Sequence, residues 1–295
     1  MILVVFLIAY VVRRRLDSLN AVSGDELWRR LFHQGSVVKA GHESGVVNGL
    51  VLVAVPALLA ALCVYVMAFY GWRIAAYPLE ILLLVFVMGT PGWRQSLEPY
   101  AEAWQKGDMQ AAWHHIQQRL PASERGAAAS PEAMHISLSQ ALMLAVFQRF
   151  FLIAFWYVVG GIGLAILARG LVALAEQWPQ AAARPKYLRV CEWINWIPVR
   201  LLSVTFGVAG DLSGWLGEAK TAMTGLTKKT PEVLMISANG ALTGYALDPA
   251  RFSRVHPDEW ASFGGRSLSA VRDLLNRSML VWICLLALLV IAGVV

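Results

Sequence analysis

Residues 46–70, VVNGLVLVAVPALLAALCVYVMAFY, decide the fold. They carry no charged side chain, and a hydrocarbon core of about 30 Å takes about 20 helical residues to cross. A backbone in lipid must pair its polar groups within its own segment, so the run is a membrane helix rather than a strand. Working outward, residues 74–88 follow the short turn Gly71-Trp72-Arg73 and end at Gly89-Thr90-Pro91-Gly92, with one acid, Glu80. The two runs make a helical hairpin, with Trp72 and Trp93 as interfacial anchors.

Further upstream, residues 1–12 are apolar and precede Arg13, Arg14 and Arg15. A secretory signal places its charges before the apolar core, so this run reads as a short retained anchor. Downstream, residues 136–175 are too long for one span and are interrupted by Gln148, Arg149, Gly160, Gly161 and Arg169. The spacing predicts a membrane helix over 150–171, with 139–149 turning into the interface. Residues 193–208 contain Asn195, Pro198 and Arg200, which predicts a broken or re-entrant helix. The uncharged run 279–295 is a last membrane helix. The expected fold is all-α, a polytopic membrane helical bundle with cytoplasmic helical segments. Its expected divisions are an anchor (1–12), a cytoplasmic basic segment (13–45), a transmembrane hairpin (46–92), a cytoplasmic hairpin and linker (93–135), membrane helices (136–212), a cytoplasmic segment (213–278) and a terminal helix (279–295).

Composition agrees with this reading. Of 295 residues only 15% are charged, against about a quarter in soluble domains. The net charge of +6 lies between the apolar runs, which points to topology and anionic membrane lipids rather than nucleic acid. Lys and Arg number six over 12–45, four over 92–139 and eight over 213–278, so these segments are expected in the cytoplasm and the C-terminus outside. The same count leaves a conflict. Residues 176–189 carry three basic residues on the side it makes external. The expected location is the bacterial inner membrane, crossed several times.

Leu97, Tyr100, Ala101, Trp104 and then Met109, Ala112, Trp113, Ile116, Leu120 recur every three or four residues around Gly107-Asp108. This predicts a helical hairpin with Asp108 as cap and an aromatic seam, either packed on its own chain or offered to a cytoplasmic protein partner. Residues 121–131 read as a linker. The three cysteines make no metal or disulfide pattern, His114 and His115 point to different helix faces, and no nucleotide motif is present; no metal and no cofactor is expected. Gly160, Gly161 and Gly163 read as a close helix-packing surface.

Ionised groups at mid-bilayer cost at least about 2.5–3.5 kcal/mol. Arg149 and Arg169 are expected to snorkel from helix ends. Asn195 and Arg200, either side of Pro198, read as lining a polar cavity or an interfacial elbow, with Gln148, Arg149 and Glu192 as secondary candidates.

The segment Arg189-Val-Cys-Glu-Trp-Ile-Asn-Trp-Ile-Pro-Val-Arg-Leu-Leu202, the hairpin at Gly107-Asp108, Phe155-Trp-Tyr-Val-Val-Gly-Gly161 and Leu234-Met-Ile-Ser-Ala-Asn-Gly240 together resemble the AmpE family. That resemblance implies a membrane protein linked to peptidoglycan recycling and β-lactamase induction. AmpE proteins are in turn similar to cobinamide-phosphate synthases of the CobD/CbiB type, membrane enzymes that form an amide bond. Where those carry an acid-rich stretch, this chain has Gln140, Leu144, Ala145 and Gln148. In a second motif it keeps Arg189, Asn195, Pro198 and Arg200 but replaces an acidic pair by Cys191-Glu192. Carboxylates are what a site needs to hold Mg²⁺ or act on an amine. The resemblance therefore implies a non-catalytic modulator or sensor, with Arg189, Asn195, Arg200 and Asn239 as an anion cavity for a cell-wall-derived or other anionic ligand. An amide-forming enzyme is the alternative, and a transporter is a third reading.

Overall fold

A computed structural model describes residues 1–19, 25–36, 46–89, 93–120, 130–225, 228–242 and 246–293. Among these there is no strand. The helices are α1 (Ile2–Leu19), α2 (Asp25–Gly35), α3 (Val46–Phe69), α4 (Arg73–Val87), α5 (Trp93–Gln105), α6 (Met109–Ile116), α7 (Pro131–Val146), α8 (Leu152–Gln177), α9 (Arg184–Ala209), α10 (Leu212–Thr224), α11 (Thr230–Ala241), α12 (Pro249–Val255) and α13 (Trp260–Ile291). A π-helical turn, Phe147–Phe151, joins α7 to α8 without a break. Three helical stretches are long and apolar enough to cross a membrane: Val46–Phe69, Pro131–Gln177 and Pro257–Ile291. The linker expected over 121–131 lies outside the described residues except for Ser130 and Pro131.

The helices form two units. The first comprises Met1–Pro91, Gln148–Pro198 and Leu286–Val295; the second comprises Gly92–Phe147 and Val199–Leu285. Each therefore draws on several of the divisions expected from the sequence.

In the first unit α3 and α4 form the expected hairpin, closed by Gly71 at φ 80, where only glycine turns without strain. Arg13 of α1 donates to the Val85 carbonyl of α4 at 3.1 Å and to Asp17 at 2.9 Å. α8 lies along α3 because small residues let the backbones approach: a Cβ on Gly163 would stand 2.7 Å from the Ala61 Cβ and 3.1 Å from the Ala57 carbonyl oxygen. Gly163→Val is therefore expected to cost about 1–3 kcal/mol by overpacking, measured as a lower melting temperature in detergent.

Residues 139–149 are helical throughout, with the π-helical turn beginning at Phe147. Two expectations change here. The segment 193–208 is not broken, because α9 continues through Pro198. The interruption lies instead inside α8, at Gly160 (φ −150°, ψ 27°) and Gly161 (φ 68°, ψ −164°). These two glycines break the helix, and only Gly163 of the three packs closely against another helix. Within the basic segment 13–45, residues 25–35 form α2, an amphipathic helix whose Phe32 is buried against Trp178 with ring centroids 5.7 Å apart.

In the second unit α5 and α6 form the hairpin expected over 97–120, with the Asp108 carboxylate accepting from the Ala111 amide at 2.9 Å. Tyr100 and Trp104 of its aromatic seam are buried within the unit and Trp113 is half-buried: Trp104 packs against His135, Trp260 and Phe263, and its indole donates to the Trp260 carbonyl. The terminal helix begins 19 residues before the expected 279, at Trp260.

Candidate functional site

Polar groups buried in a helical membrane protein are costly unless paired, so each one marks a contact the fold maintains. The first unit gathers its charges at Asp25. This carboxylate, at the first residue of α2, takes Arg149 Nη2 at 2.5 Å on one oxygen and Arg169 Nη2 on the other. Arg149 also donates to the Gly89 carbonyl, and Arg169 lies 3.8 Å from Glu176. Burial pushes the Asp25 carboxyl up, but Arg169 and Arg149 outweigh it and hold it below its ordinary 3.8. Neither arginine snorkels as expected: Arg169 is only 2% exposed. The physical reason is the acid supplied by α2, from a segment whose sequence marks it only as basic.

Beside this cluster, Tyr157 donates to Glu80 at 2.7 Å, and the Cys191 thiol donates to the Leu171 carbonyl. Gln148 is buried in the π-helical turn, and Glu192 is half-buried on α9. Asn195 is buried while Arg189 is exposed. Six residues apart on a continuous helix, they differ in direction by about 120° and do not share a face.

The second unit holds the other two candidates. Arg200 Nη2 donates to the Gly225 carbonyl at 3.0 Å, and Asn239 Nδ2 donates to Glu218 at 3.1 Å. Near them Ser203 and Ser237 share a hydrogen bond of 2.6 Å, and the Trp215 indole donates to Ser203. Small residues bring α10 and α11 together: a Cβ on Gly214 would stand 2.5 Å from the Gly240 carbonyl oxygen. Glu218 thus places a carboxylate on Asn239. The four candidates thus fall two in each unit, Arg189 and Asn195 in the first and Arg200 and Asn239 in the second.

The sequence model of one family, described as Regulatory signalling modulator protein AmpE, matches residues 4–243. The chain belongs to the AmpE family. The match takes in both charged clusters of this AmpE-family chain, from Asp25 to Asn239, and ends before α13. No curated protein and no solved structure matches it.

Sequence reasoning missed Asp25 and its pairing with Arg149 and Arg169. One signal was present: these two arginines bracket the uncharged residues 150–168, with Gly160-Gly161 at the middle.

Proposed function

We propose that this AmpE-family chain is a non-catalytic, multi-pass modulator or sensor of the bacterial inner membrane, acting in peptidoglycan recycling and β-lactamase induction. The family match over residues 4–243 carries this reading. The positions Gln140, Leu144, Ala145 and Gln148, neutral where the cobinamide-phosphate synthases carry acids, support a protein that binds without transforming, because a neutral amide does not replace an ionised ligand. The ligand is anionic, derived from the cell wall or a similar source, and Arg200 and Asn239 of the second unit are its candidates. Surrounding lipids are further partners. A cytoplasmic protein partner would have to use the outer face of α5–α6, because the inner seam is occupied.

Arg200→Ala tests the reading. Losing a charge-assisted hydrogen bond costs about 1.5–3 kcal/mol, so binding of an anionic ligand is expected to weaken by about tenfold or more. β-Lactamase induction should change in cells while the amount of protein in the membrane stays the same. Unchanged induction at equal membrane level removes Arg200 from the site. Rescue of cobalamin synthesis in a cell lacking the synthase would favour the amide-forming alternative instead.

A further inference from the structure

The ion cluster at Asp25 fixes the path of the chain. Arg149 and Arg169 are 20 residues apart, which in a straight helix is about 30 Å. Both guanidinium groups nevertheless meet one carboxylate. Two arginine side chains cannot bridge that distance, so the helix must double back between them. The only non-helical backbone inside α8 is at Gly160 and Gly161, midway between the two. Neighbours on either side agree. The descending arm runs beside α4, with Arg149 at Gly89 and Tyr157 at Glu80. The returning arm runs beside α3, with Gly163 at Ala57 and Ala61, Gly170 at Val53, and then Tyr187 at Val46.

From Arg149 to Gly160 the arm is about 16 Å long, roughly half of a hydrocarbon core of about 30 Å. Its tip is apolar and exposed, Val159 at 58%, and no charge occurs over 150–168. Its mouth holds Asp25, Arg149 and Arg169, with Arg13 and Asp17 close by at the end of α1. We infer that residues 147–177 are a re-entrant hairpin that dips into one leaflet and leaves by the face it entered, with the Gly160-Gly161 turn near the bilayer midplane and α2 closing its mouth through Asp25. The surrounding surface fits a leaflet of anionic headgroups: Arg14, Arg15, Lys186 and Arg189 are exposed, each attracted to such a surface. The three basic residues of 176–189 then join the face that carries Arg13–Arg15. The charge conflict left by a single crossing disappears.

The test is single-cysteine labelling with a membrane-impermeant maleimide, in the full chain with Cys63, Cys191 and Cys284 replaced by Ala. Arg14→Cys and Ala182→Cys are expected to react in the same vesicle orientation, and Trp72→Cys, at the α3–α4 turn, in the opposite one. Reaction of Ala182→Cys with the Trp72→Cys set would mean a full crossing and overturn the inference. So would reaction of Ala182→Cys in detergent only, which would place the segment inside the bilayer. A site for a sequence-specific protease inserted after Gln180, in the chain with its native cysteines, repeats the readout: cleavage is expected only from the side on which Arg14→Cys reacts, and cleavage from the other side refutes the hairpin.

Discussion

Asp25→Ala is expected to destabilise the first unit by about 3 kcal/mol, the low end for breaking a buried ion pair because Asp25 itself is a quarter exposed. The cost comes from Arg169, left charged in a space that is almost wholly closed to water. Arg149 is less buried, keeps the Gly89 carbonyl and suffers less. α2 loses its tether in the same step, so protease cleavage within 25–35 should accelerate while the rest of the chain stays helical. Combining Asp25→Leu with Arg169→Met should recover most of the loss, since apolar groups of similar size replace buried ion pairs at little cost. Unfolding of purified protein in mixed micelles reads both variants. A single variant as stable as the parent would mean that the pair is spectator to the fold.

The same carboxylate sets a pH dependence. Its folded pKa is depressed below 3.8, so the stabilisation is complete above about pH 5 and is lost as pH falls through the lower folded value. Between pH 5 and 8 the contribution should be flat. The ion cluster of Asp25, Arg149 and Arg169 is therefore expected to stay intact between pH 5 and 8.

His135→Ala is expected to cost about 4 kcal/mol in the second unit. The imidazole is fully buried, with Nδ1 3.0 Å from the Tyr100 hydroxyl and Nε2 2.8 Å from Ser267. A neutral ring donates from one nitrogen and accepts at the other, and here both are used. It joins α5, α7 and α13 and packs against Phe263 with centroids 4.8 Å apart. Alanine leaves a cavity as well as orphaned hydroxyls. His135→Phe separates the two effects, because it fills the space: about 2 kcal/mol should remain, chiefly from Tyr100, since Ser267 can turn to a carbonyl one helical turn back. Burial pushes the Tyr100 phenol above its ordinary 10.0, so it stays protonated and needs its partner. Hydrogen exchange in α5 and α13 reports the change.

Much of the fold was legible because lipid imposes a simple rule. An uncharged run as long as a bilayer is a helix, and residues 46–69 obeyed it. The α5–α6 hairpin was readable for a related reason: apolar side chains at three- and four-residue spacing mark a face to be covered, and Asp108 marks a helix start. The positions that broke these rules were harder. Pro198 looked like a break and was absorbed by a long helix, while Gly160-Gly161 looked like a packing surface and was the break. Local propensity cannot separate these cases, because either residue pair can do either job.

The sequence by itself determined the helical class, the family and the segments that lipid must surround. These follow from composition and periodicity, properties of each segment taken alone. Tertiary structure decided which charges meet. Asp25 lies 124 residues from Arg149 and 144 from Arg169, and no local feature announces the carboxylate that joins the two arginines. Buried charge is tolerated only when a partner arrives from elsewhere in the chain, so the pairing, and with it the doubled path of α8, is fixed by packing rather than by any stretch of sequence.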